Sequence, residues 1–162
     1  DSLYFYVSGR YNSKPVHDSN FATGLATLRR DGFVSLRAAA SEGYAVSDTF
    51  IIDGNYFFVN ADVRNKKSFL LVELQDENGT PIPGFTKKDC VAMKKANSTK
   101  YQISWKNNTN LEPLRGKIIR VKFYVRNADL YAFWISPWET GESRGYTAGG
   151  GPGLSPTGID EK

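Results

Sequence analysis

The segment Ile118–Arg126, IIRVKFYVR, decides the fold. Ile119, Val121, Phe123 and Val125 alternate with Arg120, Lys122, Tyr124 and Arg126. A period of two puts one set on each face of a strand, so one face is made to pack and the other to meet water or a partner. The same signature recurs outward in both directions. LYAFWIS (130–136) follows the turn Asn127-Ala128-Asp129, and SFLLVEL (68–74) leads into Asn78-Gly79, a hairpin turn signal. Pro81 and Pro83 limit the returning segment to an edge or an irregular path. AVSDTFII (45–52) and YFFVNADV (56–63) read as two strands joined in a hairpin by Asp53-Gly54-Asn55. YQISW (101–105) is a further strand, and KKDCVAMKKA (87–96) suits a helix of two turns.

Nearer the start, LYFYVSGR (3–10) is a dense aromatic strand followed by a polar loop with Pro15. In TGLATLRRDGFVSL (23–36), Asp31-Gly32 predicts a tight turn between two paired strands. Gly24 to Leu28 need one covered face, and the nearest apolar partner is Leu3-Tyr4-Phe5-Tyr6. After Pro137 the chain turns Gly- and Pro-rich, with Tyr146 as its one sizeable anchor. These segments predict an all-β, antiparallel, jelly-roll-like sandwich. Residues 1–37 form an N-terminal hairpin packed on it, 38–138 the sandwich, and 139–162 an extended tail. The expected core is Leu70, Val72, Ile119, Val121, Phe123 and Phe133.

A chain of 162 residues, 40% hydrophobic and 14% aromatic, has the material for a packed core. Its net charge of +4 is spread along the sequence. The basic pairs Lys66-Lys67, Lys87-Lys88 and Lys94-Lys95 are flanked by polar residues, so a solvated surface accounts for them and no nucleic-acid partner is expected. No apolar run reaches the ~18 residues of a membrane span, and the first residues lack a signal peptide's charged-then-apolar order. Cys90 is the one cysteine, either a small buried group or a partner for a cysteine on another chain. His17 is the one histidine, so ligand spacing for a metal cluster is missing. Calcium has two weak candidate sites, Asp76-Glu77-Asn78 and Asp53 with Asn55, although turn chemistry explains both. The triplets beginning at Asn78, Asn97 and Asn107 read as glycosylation acceptors in loops and tilt the expectation toward a secreted glycoprotein.

DSLYFYVSGR followed by GLATLRRDGFVSL resembles the end of the catalytic propeller in secreted glycoside hydrolases of the invertase and arabinanase type. Late strands there read aromatic-x-Tyr-x-x-Gly and Gly-Leu-Ala-Thr…Arg-Asp-Gly-Phe. FVNADV, LLVELQDENGTPIPGF with KKDC after it, ISWK…LRGKIIRVKFYVRNADLYAFW and SRGYTAGGGPG resemble the β-sandwich that follows the propeller in relatives of those enzymes. The resemblance spans nearly the whole chain. It implies that the catalytic carboxylates belong to earlier blades, which this chain lacks, and that Asp31 is a structural turn residue.

The chain's own residues do not supply a replacement site. Asp53, Asp62, Asp76, Glu77 and Asp129 fall at turns and strand ends, where a facing carboxylate pair is not discernible. His17 beside Asp18 has no nucleophile elbow to serve. The expected function is therefore a non-catalytic, extracellular, carbohydrate-associated module that buttresses a glycosidase-like propeller, binds glycan, or does both. Glycan would lie on aromatic rings, for which Trp105, Tyr124, Tyr131, Trp134, Trp138 and Tyr146 are the candidates. Tyr124 and Trp138 are the better prospects for exposure, whereas Trp134 suits the core. Two alternatives stand beside this reading: a self-sufficient oligomeric lectin or assembly protein, and the C-terminal piece of a cleaved glycoside hydrolase.

Overall fold

A computed structural model describes residues 1–12 and 19–142. Ten strands and one 3₁₀ turn (Glu112–Leu114) account for its regular structure, and every strand pairing is antiparallel. The protein is all-β. β1 (Ser2–Asn12) and β2 (Ser19–Arg29) form a two-stranded ribbon. The remaining strands divide between two sheets. The first runs in the order β3 (Leu36–Ala38), β10 (Ala128–Ser136), β6 (Tyr56–Val63), β8 (Ala96–Ile103). In the second, β9 (Ile118–Arg126) is flanked on one side by β4 (Gly43–Val46) and β5 (Phe50–Ile51) and on the other by β7 (Phe69–Asp76).

Apart from β4 and β5, which share a sheet, successive strands cross from one sheet to the other, the ordering of a jelly roll. The core lies between the sheets. Val59, Ala61 and Val63 of β6 face Leu70, Val72 and Leu74 of β7 and Ile119, Val121 and Phe123 of β9 within one buried cluster. Phe123 joins the two layers, its ring 6.3 Å from Phe57 and 5.0 Å from Phe133. Five of the six expected core residues are buried, and Phe133, partly buried, packs against them. β9 alternates inward and outward as its sequence requires.

Four local expectations give way to tertiary pairing. Asp31 adopts φ 52° and Gly32 N donates to Arg29 O (3.0 Å), so the turn forms. However, it does not close a hairpin: β2 pairs with β1 in an unbroken register from Leu3↔Leu28 to Val7↔Gly24, and the chain past Gly32 goes to β10. Pairing with β1 is as the apolar pattern asks, but the aromatic rings stay exposed instead of hidden. β3 pairs with β10 through Leu36↔Leu130, so residues 36 and 37, expected in the N-terminal unit, pair within the first sheet of the sandwich together with residue 38.

The segment 45–52 breaks into β4 and β5 along the same edge of β9, and β5 makes no hairpin with β6. Instead Asp53-Gly54-Asn55 carries the chain between sheets. A Cβ at Gly54 would sit 2.8 Å from the Ser136 backbone, which only glycine permits. The Asn78-Gly79 turn is present, with Gly79 at φ 85° and its return reduced to one bridge, Gln75↔Pro81. No helix forms in KKDCVAMKKA. Cys90 and Met93 instead make isolated bridges to Trp105 and Leu70, because burying Met93 and Cys90 under β7 outweighs a weak local helix preference.

Candidate functional site

The outer face of the first sheet carries a polar latch. Asn60 is the polar residue in an otherwise apolar stretch of β6, and it is only 1% exposed. Its Oδ1 accepts from Arg29 Nε (2.5 Å) and its Nδ2 donates to Arg30 O (2.7 Å). Arg29 also donates to Ala61 O (3.2 Å) and to Asn97 Oδ1, and its guanidinium lies 4.8 Å from the centroid of Tyr131. Burial lowers the Arg29 pKa, opposed by Tyr131 and Asp62. Thr99 Oγ1 donates to Asp1 Oδ1 (2.7 Å) on the same face. The base of the ribbon is thus held to the sandwich through hydrogen bonds, with little apolar packing.

Beside the latch is a cleft of about 230 Å³. Trp134 forms an aromatic wall, Arg30 and Lys100 supply cations, and Asp31 and Glu142 bring two carboxyl groups that are far apart in sequence. Thr140 Oγ1 donates to Glu142 Oε1 (3.2 Å), whereas Glu142 Oε2 is shielded from water and has no hydrogen-bond partner among the described residues. Nothing in the sequence brought Asp31 and Glu142 together. Asp31 lies in the turn after β2 and Glu142 in the irregular segment after β10, and their meeting depends on the ribbon being seated.

The candidate aromatics scatter. Trp105 is 1% exposed, its Nε1 donates to Val72 O (3.1 Å), and Phe85 and Phe57 pack edge-on against it. It is a core residue and not a sugar platform. Trp134 stacks on Phe58 at 5.7 Å and donates Nε1 to Gly141 O (3.0 Å). The Tyr131 ring is capped by Arg29. Tyr124, half-buried, is capped by Lys87 Nζ at 4.1 Å, and its hydroxyl lies 3.2 Å from Glu73 Oε1. Trp138 is half-buried beyond β10, its backbone N donating to Ser136 Oγ. Tyr146 and His17 lie outside the described residues. These rings do not assemble into one platform.

Asn78 and Asn107 occupy exposed turns, but Asn97 sits in β8 and engages Arg29, so that triplet is in a strand and not a loop. Asp76 Oδ1 accepts from Asn78 N (2.9 Å) and Thr80 N (2.8 Å), which makes the carboxylate part of the turn. Among the described residues, no three His, Cys, Asp or Glu side chains converge. Cys90 is buried, and burial pushes its pKa to about 11 although Val72 N donates to Sγ (3.2 Å). Its depth favours the small buried group over a partner for another chain.

The ribbon presents an unpartnered apolar surface among the described residues. Tyr4 and Tyr6 lie on one face, with Leu25 opposite Tyr6; Phe5 and Val7 lie on the other. All five are exposed, Tyr6 at 82%. Among the described residues, Phe33, 6.2 Å from Phe5, is the one aromatic contact of these side chains. Beyond each other, β1 and β2 pair with no other strand among the described residues. Comparison with known proteins finds no matching family model, no matching curated protein and no matching solved structure.

Proposed function

We propose that this protein is a non-catalytic, extracellular, carbohydrate-associated β-sandwich module that buttresses a glycosidase-like propeller through its β1–β2 ribbon. The observation that carries the reading is the ribbon, which exposes apolar side chains on both faces and pairs with no further strand among the described residues. Soluble proteins cover such surfaces, since a two-stranded ribbon alone is marginal in water and an uncharged edge invites further strands. The resemblance of these two strands to a propeller's end names the cover. The alternative, an oligomeric lectin or assembly protein, would cover the same ribbon with a second copy. A cleaved glycoside hydrolase would cover it with its separated catalytic part.

Substitution of Tyr4, Phe5 and Tyr6 by serine tests the reading. In the isolated chain the rings are exposed, and the triple variant is expected to melt within a few degrees of the parent. In the natural gene product that carries this chain, the same change removes buried aromatic area and costs at least about 3 kcal/mol. A triple variant that is neutral in both settings overturns the proposal. One that lowers stability in the isolated chain, in step with loss of a concentration-dependent oligomer, gives the assembly reading instead.

A further inference from the structure

The outer face of the second sheet carries a cationic and aromatic stripe. Arg120, Lys122, Tyr124 and Arg126 point outward along β9, successive members about 6.7 Å apart. β4 adds Tyr44 opposite Tyr124, and that ring is 72% exposed. Lys122 Nζ lies between the two rings, 4.8 Å from the centroid of Tyr44 and 5.2 Å from that of Tyr124. With one side of Tyr44 met by Lys122 and the residue this exposed, its opposite side is open to solvent.

The carboxylates of this region are already engaged. Glu73, 6% exposed, accepts from Gln75 Nε2 (3.0 Å) and Lys87 N (3.0 Å) and pairs with the Tyr124 hydroxyl. Glu42 pairs with Lys87 Nζ (2.6 Å), and Asp48 Oδ1 accepts from Thr49 N (2.7 Å). Arg120 and Lys122 form no ion pair among the described residues, and Arg120 Nε is shielded from water with no acceptor. A buried Nε left without an acceptor retains its desolvation cost. The Arg120 guanidinium as a whole has no counter-charge among the described residues, and an incoming anion would be its first.

We infer that this stripe binds an acidic polysaccharide. Carboxylate or sulfate groups would meet Arg120 and Lys122, and a sugar ring would lay its CH face on the open side of Tyr44. The inference rests on the carbohydrate-associated reading but uses a surface separate from the ribbon. Two unneutralised cations suit a polymer of sparse charge. A nucleic-acid duplex, with one charge per about 1.7 Å of its axis, would leave most of its phosphates facing a surface that offers them only these two cations without an ion pair.

Calorimetric titration of the chain with polygalacturonate, dextran sulfate, neutral dextran and a single-stranded oligonucleotide provides the test. At ~0.15 M salt at least one acidic polysaccharide binds and dextran does not, and ~1 M salt abolishes the binding. Whether polygalacturonate or dextran sulfate binds more tightly identifies the anionic group. Arg120→Gln with Lys122→Gln lowers affinity about tenfold, and Tyr44→Ala lowers it several-fold on its own. If the double variant melts early, Lys122→Gln and Tyr44→Ala alone carry the comparison. Absence of binding to both acidic polysaccharides overturns the inference. So does oligonucleotide binding of equal strength that is indifferent to Tyr44→Ala, because that is charge without sugar recognition. The Tyr4, Phe5 and Tyr6 serine variant leaves this binding unchanged, so the ribbon reading and the stripe fail or stand separately.

Discussion

Removing the Arg29–Asn60 latch is expected to loosen the ribbon by an amount its geometry sets. Asn60→Ala deletes a charge-assisted hydrogen bond at 2.5 Å and a neutral one to Arg30 O at 2.7 Å. Arg29 is half-buried, so the first is taken at the low end, about 1.5 kcal/mol, and the second at about 1 kcal/mol. Arg29→Ala loses the same shared bond, its contacts to Ala61 O and Asn97, and the Tyr131 cation–π contact, about 3 kcal/mol in all. The double variant is then expected near 4 kcal/mol, because the common bond, about 1.5 kcal/mol, is counted once. For a chain of this size Asn60→Ala lowers Tm by about 5–10 °C. Urea unfolding followed by tryptophan fluorescence, with equal m-values required across the set, measures the cycle. A coupling energy below about 0.5 kcal/mol would refute the latch, leaving the ribbon's position without an energetic explanation.

Three further outcomes follow from the buried and the cleft residues. Cys90 resists thiol reagents in the folded chain at pH 8 and reacts only after unfolding; stoichiometric labelling of the native protein contradicts its assigned environment. Its folded pKa of about 11 exceeds the unfolded value of 9.0, so its contribution is full below pH 9 and lost as pH rises toward 11. A Cys90→Ala variant should therefore lose less stability over that interval than the parent does. Trp105→Phe, which leaves Val72 O without its indole partner and opens space beside Phe85, costs about 2–4 kcal/mol without altering glycan binding. The pure chain is expected to turn over no furanoside or pyranoside. Hydrolysis abolished by Asp31→Asn or Glu142→Gln would make the Trp134 cleft an active site and reverse the functional reading.

Much of the architecture was legible because alternation is a local signal. The β9 strand, the Asn78-Gly79 turn and the inward residues of β7 follow from period-two patterning and turn chemistry within a few residues. Strand partnership is not local. Asp31 stands in a real turn and Asp53-Gly54-Asn55 is a bend, but a turn sequence does not say whether the next strand pairs back or crosses to the other sheet. Gly54 pressed against Ser136 marks the crossing, and only the closed sandwich provides that neighbour. Trp105, the last residue of the strand YQISW, reads as a candidate glycan platform; its indole N–H instead meets a β7 carbonyl that the sequence cannot place beside it. Asn60 did leave a trace, a lone amide in the run YFFVNADV, where a buried polar group needs partners on both ends. Tyr44 left none, because its meaning depends on standing across from Tyr124.

The central claim, that the ribbon is a docking element covered in the natural product, is tested most directly by amide hydrogen exchange. Residues 3–7 and 24–28 are compared in the isolated chain and in the natural gene product that carries it. The account predicts fast exchange at the outward-facing amides of both strands when the chain is alone. It predicts slow exchange in the natural product, at a rate independent of concentration, with the sandwich strand β9 equally slow in both. Fast exchange of the ribbon in the natural product, while β9 stays protected, would contradict it.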